Sequence, residues 1–359
     1  GLMRRWVSTN AGLQVYSQSL KTMDSLERTI CFIEGGRPDR VPFHPILMRF
    51  AAKHAGVRYR DFCLSHTHKC IANIKCAADF HSDWVNTMSD AYAEAEAFGT
   101  KLHYPEDDLP MVQKYAISEI SDIDRMNVLK PGDHSRMRER SAEIREYSAV
   151  TAGKMFICGW VEGPLAEYCD IRDINLAMTD LYEHPEEVHK ALDIITESAM
   201  AFITAQVREG AHCIGIGDSV CSLISPELYE EFCLDREKAL VGHIHALGAL
   251  AKIHICGNIS AILPGVISTG TDIVDIDHRT GPVTEAAALL GDRQVFAGKS
   301  DPVSVLQDGD AQRIRESAVA FFREAKGRAI LSAGCEVTPG TTAENLACFS
   351  GLSSQLLKM

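Results

Sequence analysis

His254 and Cys256, in the stretch KIHICGN, and Cys335, in LSAGCEV, are an imidazole and two thiols at the ends of two short apolar runs. If both runs are strands, side chains two apart share a face, so His254 and Cys256 can present a nitrogen and a sulfur to one ion while Ile255 faces away. Sulfur and imidazole nitrogen suit zinc, and three protein ligands leave a fourth position for water or substrate, as catalytic zinc sites do. The same residues could also be plain core. Free cysteine is among the most buried residue types, and the chain has 12 of them.

A shared metal requires a fold that brings distant strand ends together. Short apolar runs alternate with helical patterns almost from end to end, which predicts βαβ units and a parallel sheet. The predicted strands are VPFHPI (41–46), DWVNTM (83–88), MFICGWV (155–161), CIGIGD (213–218), AKIHICG (251–257), DIVDID (272–277), QVFAG (294–298) and AILSAG (329–334). Eight is the number that closes a (β/α)8 TIM barrel. Amphipathic segments such as PEEVHKALDIITESAMAFITAQVREG and AQRIRESAVAFFREAKG would form the outer ring, with Gly210 and Gly327 as stops. The expected organisation is one α/β domain over residues 1–359 with an N-terminal helical extension over about 1–38, in which LERTICFIEG is a helix capping the barrel bottom. Residues 100–150, polar and proline-containing, read as an excursion after the second strand.

In such a barrel chemistry collects where the strands end. The polar residues there are His44, Asp90, Glu162, Asp218, His254 with Cys256, Asp277 with His278, Asp301, and Cys335 with Glu336. Asp218 could accept a proton, orient a metal-bound group or hold a cationic atom, and Glu162, turned by Gly163 and Pro164, would sit near the mouth; these two are the candidate catalytic residues. Asp277 or His278 could orient a metal ligand or be a further ligand, though a structural hydrogen bond serves either equally well. Asp90 and Asp301 each precede a helical pattern, and a helix cap is the simpler reading of both.

Composition excludes several classes. At 359 residues with 46% hydrophobic content the chain can build a sizeable core. With 36 basic and 49 acidic residues its formal charge is −13, which argues against a nucleic-acid binder. The cysteines are scattered, unlike a secreted disulfide scaffold. The first residues, GLMRRWVSTNAG, lack the apolar core of a secretion signal, and no apolar stretch reaches the length of a membrane span. A reducing, cytoplasmic setting is the expectation.

Several stretches together resemble the uroporphyrinogen decarboxylase superfamily, and within it the corrinoid-dependent methylcobamide:coenzyme M methyltransferases. They are PFHPILMRFAAKHAGVRYRDF, GWVEGPLAEYCDIRDINLAMTDLYEHPEEVHKALD, GDSVCSLISPELYEEF, KIHICGNISAILPGVISTGTDIVDIDH, and SDPVSVLQDGD followed by AILSAGCEVTPGTTAENL. The resemblance implies a (β/α)8 barrel and, by its zinc-site pattern, His254, Cys256 and Cys335 as zinc ligands. Cobalamin-independent methionine synthases are similar in their metal half, where a carboxylate after the next strand also ligates; Asp277 falls near that place. The Arg-Gln-Ala-Gly-Arg-Tyr signature that holds substrate carboxylates in true decarboxylases is replaced here by LMRFAAKHAGVRY.

The implied activity is zinc-dependent methyl transfer from a methylated corrinoid to a thiol acceptor such as coenzyme M. The corrinoid would be supplied by a separate protein, since the chain lacks an Asp-x-His-x-x-Gly cobalamin-binding pattern. The alternatives are a metal-free decarboxylase and a non-catalytic corrinoid-protein partner with a structural zinc.

Overall fold

The computed structural model describes residues 22–359, so the first 21 residues of the expected N-terminal extension lie outside the described residues. Seven parallel strands form one curled sheet in the order β1 (Trp84–Asn86), β4 (Phe156–Glu162), β5 (Cys213–Gly217), β6 (Leu250–Ile255), β7 (Ile273–Ile276), β8 (Val295–Ser300) and β9 (Ala329–Ala333). Each corresponds to a predicted strand, and consecutive runs are neighbours, as right-handed βαβ crossovers require.

The eighth position is filled by the predicted run at 41–46, reduced to a single parallel bridge between Phe43 and Leu331 of β9. Leu331 N donates to Pro42 O and His44 N to Leu331 O on one side, and Asp83 N donates to Phe43 O on the other, at 2.8–3.0 Å. The ring is thereby closed. Pro42 and Pro45 have no N–H to give a ladder, so this run bridges the gap without forming a longer strand.

Both faces of the sheet are covered, which is why β4, FICGWVE, is buried along its whole length. The helix Pro185–Arg208 buries Val188, Ala191, Leu192, Ile195, Ala199, Phe202 and Ile203 at helical spacing against the barrel wall. Each of its larger apolar side chains stabilises by about 1.5–3 kcal/mol relative to exposure. Gly210 and Gly327 follow this helix and the helix Ala311–Glu324 with φ of +110° and +78°, the left-handed stops the sequence predicts.

The helix Ser25–Ile33 is capped by Asp24 and lies at the N-terminal ends of the strands. Arg28 Nη1 is 2.5 Å from Asp83, just before β1, and Leu26 N donates to Lys154 O, just before β4. It caps the bottom, as expected. The 100–150 excursion contains an antiparallel hairpin that the sequence reading did not anticipate, β2 (Lys101–His103) with β3 (Met111–Lys114). It then delivers the helix Ser135–Val150 to the barrel wall between β1 and β4. Among the described residues no helix is long and apolar enough to cross a membrane, and the 12 cysteines are all free thiols.

Candidate metal centre

β6 carries Lys252 and His254 on its inward face, and Cys256 follows on the same side just past the strand end. Closure of the barrel brings Cys335, two residues beyond β9, across to meet them. His254 Nε2 lies 3.1 Å from Cys256 Sγ, and the two sulfurs are 3.5 Å apart. One ligand atom from each of the three residues falls within 4.8 Å of the others. Donor atoms on a tetrahedral zinc stand about 3.5–3.8 Å apart, given bonds of ~2.3 Å to sulfur and ~2.0 Å to nitrogen. The donor set and its spacing fit that ion.

The far side of the imidazole supports the same fit. The β6–β7 register sets His254 opposite Asp275, and His254 Nδ1 is 3.1 Å from Asp275 Oδ2. Lys252 Nζ reaches that oxygen at 2.7 Å and lies over the Trp84 ring, 4.2 Å from its centroid. Neither contact to Asp275 is aligned as a hydrogen bond, so the group is held chiefly by charge. A carboxylate behind Nδ1 favours the tautomer that leaves Nε2 free for a metal.

Electrostatics describe the cluster as it stands before a metal binds, which requires loss of the imidazolium proton. Burial disfavours the imidazolium, but Asp275 and then Cys335 outweigh it and raise His254 to about 10. The hydrogen bond from Cys256 pulls Cys335 down to about 4 against burial, with His254 assisting. Cys256 is pushed up, first by that shared hydrogen bond and then by burial. The two thiols are thus driven in opposite directions, with Cys335 the one favoured as thiolate.

The three residues form part of the wall of a cavity of about 280 Å³ at the C-terminal ends of the strands. Its polar wall includes Asp90, Glu162 and Glu336; Ile46, Met48, Met88, Leu109 and Pro110 supply an apolar side. Glu162 is buried, accepts from Trp160 Nε1 at 3.0 Å, and its own N–H donates to Glu94 Oε1 at 3.2 Å. Burial, then the carboxylates of Asp170 and Glu94, push its pKa well above the usual carboxylate range. Glu336 pairs with Arg49 and Asp90 with Arg136, at 3.1 and 2.5 Å.

The remaining sequence candidates lie elsewhere. Asp277 stays outside the donor triangle: its oxygens accept from Gly257 N and Arg279 N at 2.9 and 3.0 Å, tying down the loops beside the cluster. Asp218 is fully buried but turned away from the cavity, beneath the first turn of the helix Pro164–Arg172, where Oδ1 accepts from Ala166 N at 2.8 Å. Gly163 makes that possible, because a Cβ there would stand 2.4 Å from the Asp218 carboxylate. His44 is at the barrel floor rather than the mouth, stacked between Trp84 and Phe156. Asp301 accepts from Val303 N and Ser304 N, the cap expected of it. Asp275 and Lys252 were not singled out from sequence. Period two marks them, since each precedes a candidate on its own strand by two residues.

A family model described as uroporphyrinogen decarboxylase (URO-D) matches residues 24–354. Methylcobamide:CoM methyltransferase of Methanosarcina barkeri is 30% identical over 198 residues, 53% of this chain and 55% of its own length. The chain thus spans about half of that relative. Methylated-thiol–coenzyme M methyltransferase of Methanosarcina mazei is 25% identical over 332 residues, covering 91% of this chain and 88% of the relative. Among solved structures, a methyltransferase from Methanosarcina mazei superposes with a TM-score of 0.84 at 19% identity, over 93% of this chain and 99% of the other, which establishes a shared fold.

Proposed function

The chain belongs to the uroporphyrinogen decarboxylase family, and from that membership and the cluster in its cavity wall we propose a zinc-dependent methyltransferase that moves a methyl group from a methylated corrinoid protein to a thiol such as coenzyme M. The observation that carries this reading is the triangle of His254 Nε2, Cys256 Sγ and Cys335 Sγ opening on a cavity. The methyltransferase names of the relatives agree with it. The single-domain reading of residues 1–359, with an N-terminal extension over about 1–38, belongs to the same proposal.

His254, Cys256 and Cys335 would hold the zinc, and Asp275 would keep the Nδ1 proton of His254 in place. When bound, the ion supplies positive charge that makes an acceptor thiol acidic at neutral pH. Glu162, on the same cavity wall, would exchange the thiol proton with solvent. The apolar wall excludes competing water. The acceptor sulfur then bonds to the methyl carbon, and the cobalt–carbon electron pair stays with the corrinoid.

Porphyrinogen decarboxylation is the second reading. A substrate bearing several carboxylates calls for cationic clamps. The cavity wall instead carries Asp90, Glu162 and Glu336, and Arg49 and Arg136 are already paired with two of them. This favours methyl transfer.

The test is zinc content and thiol methylation from methylcobalamin, measured on the wild type and on Cys256→Ser and Cys335→Ser. Loss of the cluster's zinc together with methylation is expected. Undiminished methylation in either variant overturns the assignment, and a fourth protein ligand closing the cluster would point to a structural metal.

A further inference from the structure

A second group of metal-type ligands lies beneath the loop that follows β5. Asp218 directly follows that strand, Cys221 sits in the 3-10 turn Ser219–Leu223, and Cys233 is presented by a π-helical turn, Glu230–Leu234. π-turns frequently occur where a side chain must be re-aimed for function. All three residues are buried, and a carboxylate oxygen and both sulfurs fall within 4.8 Å of one another.

Two observations point to a cation site. Asp218 Oδ2 is buried and has no hydrogen-bond partner. Glu237, also fully buried, places Oε1 4.0 Å from Cys221 Sγ while Tyr229 OH donates to its Oε2 at 2.5 Å. Two buried carboxylates thus face two thiols, and no Lys, Arg or His among the described residues pairs with either one. Burying carboxylates without a counter-charge is costly, and a divalent ion supplies that charge.

We propose that Asp218, Cys221 and Cys233 hold a second, structural metal ion, a thiophilic divalent cation of the zinc class, with Glu237, whose Oε1 lies 4.0 Å from Cys221 Sγ, completing the shell. Two sulfurs with carboxylate oxygen suit that class, and burial on all sides makes the site a closed one. Binding releases the two thiol protons to solvent. The ion pins the end of β5 to the helical segment that begins at Pro226, and so fixes the loop whose Ser219 lines the cavity. The inference is independent of the role assigned to the cluster at His254.

The decisive sample is the full chain carrying both Cys256→Ser and Cys335→Ser, reconstituted anaerobically with zinc and dialysed against a chelator. One retained zinc with two sulfurs and light-atom ligands by X-ray absorption is expected, and adding Cys233→Ser should remove one sulfur or the whole ion. Absence of zinc in the double variant overturns the proposal, as does zinc with only light ligands. If the Cys233→Ser addition fails to fold, cadmium in place of zinc in the double variant still decides. A sulfur-to-cadmium charge-transfer band supports the site, and its absence refutes it.

Discussion

His254 and Asp275 face each other across the β6–β7 pairing, imidazole Nδ1 3.1 Å from the carboxylate, and Lys252 meets the same oxygen from the residue two before His254. A ligand, the carboxylate that orients it and a counter-charge for that carboxylate are thereby built on two adjacent strands. Rigid strands hold such a group more closely than loops would.

Asp275→Asn keeps the shape but removes the charge behind the imidazole. Loss of a partner of this kind typically lowers metal affinity ~10–100-fold. Competition with a chromophoric zinc chelator measures it, and an unchanged affinity would show that Asp275 serves Lys252 alone.

Removing metal from the wild type with a strong chelator should abolish thiol methylation while leaving the far-ultraviolet circular dichroism of the barrel in place. Zinc re-addition should restore activity. Full activity in demonstrably zinc-free protein would favour the metal-free alternative.

Glu162→Gln leaves the His254, Cys256 and Cys335 ligands intact but removes the cavity's buried acid. If Glu162 exchanges the thiol proton, kcat falls by roughly 10²–10⁴-fold and zinc content does not change. Comparison of kcat with KM separates this from a loss of acceptor binding, which would raise KM alone.

Asp90 links acid stability to the mouth of the barrel. Burial opposes its ionisation, but Arg136, then Arg140, with hydrogen bonds from Ser89 and Tyr92, hold its pKa well below the usual carboxylate range. A carboxylate depressed in the folded state stabilises at neutral pH. That contribution is lost as pH falls below the unfolded value of about 3.9. Urea midpoints measured from pH 6 downward should show a shallower acid decline in Asp90→Asn than in wild type; parallel curves would refute the linkage.

Gly163→Ala drives a methyl group to within 2.4 Å of the Asp218 carboxylate. Overpacking of this kind costs about 1–3 kcal/mol. Chemical denaturation would register it as a lower midpoint, and an unchanged midpoint would mean that the Asp218 loop yields freely.

The sequence alone determined the alternation of strand and helix, the eight runs that make the ring and the inward pairing of His254 with Cys256, because these follow from local periodicity; that the run at 41–46 is only a bridge was decided by the tertiary structure. Residue type and strand-end position drew Cys335 into the same set, and family resemblance gave all three a ligand role. Tertiary structure decided the rest. Only ring closure brings Cys335 within 3.5 Å of Cys256, and only the strand register reveals Asp275, not Asp277, as the carboxylate behind His254. Both aspartates share a face at period two, and a one-dimensional pattern cannot say which of them stands opposite a given neighbour. Asp218 makes the same point from outside the cavity: its position at a strand end is local, but the direction of its side chain is set by the close approach of Gly163 and the helix that follows it.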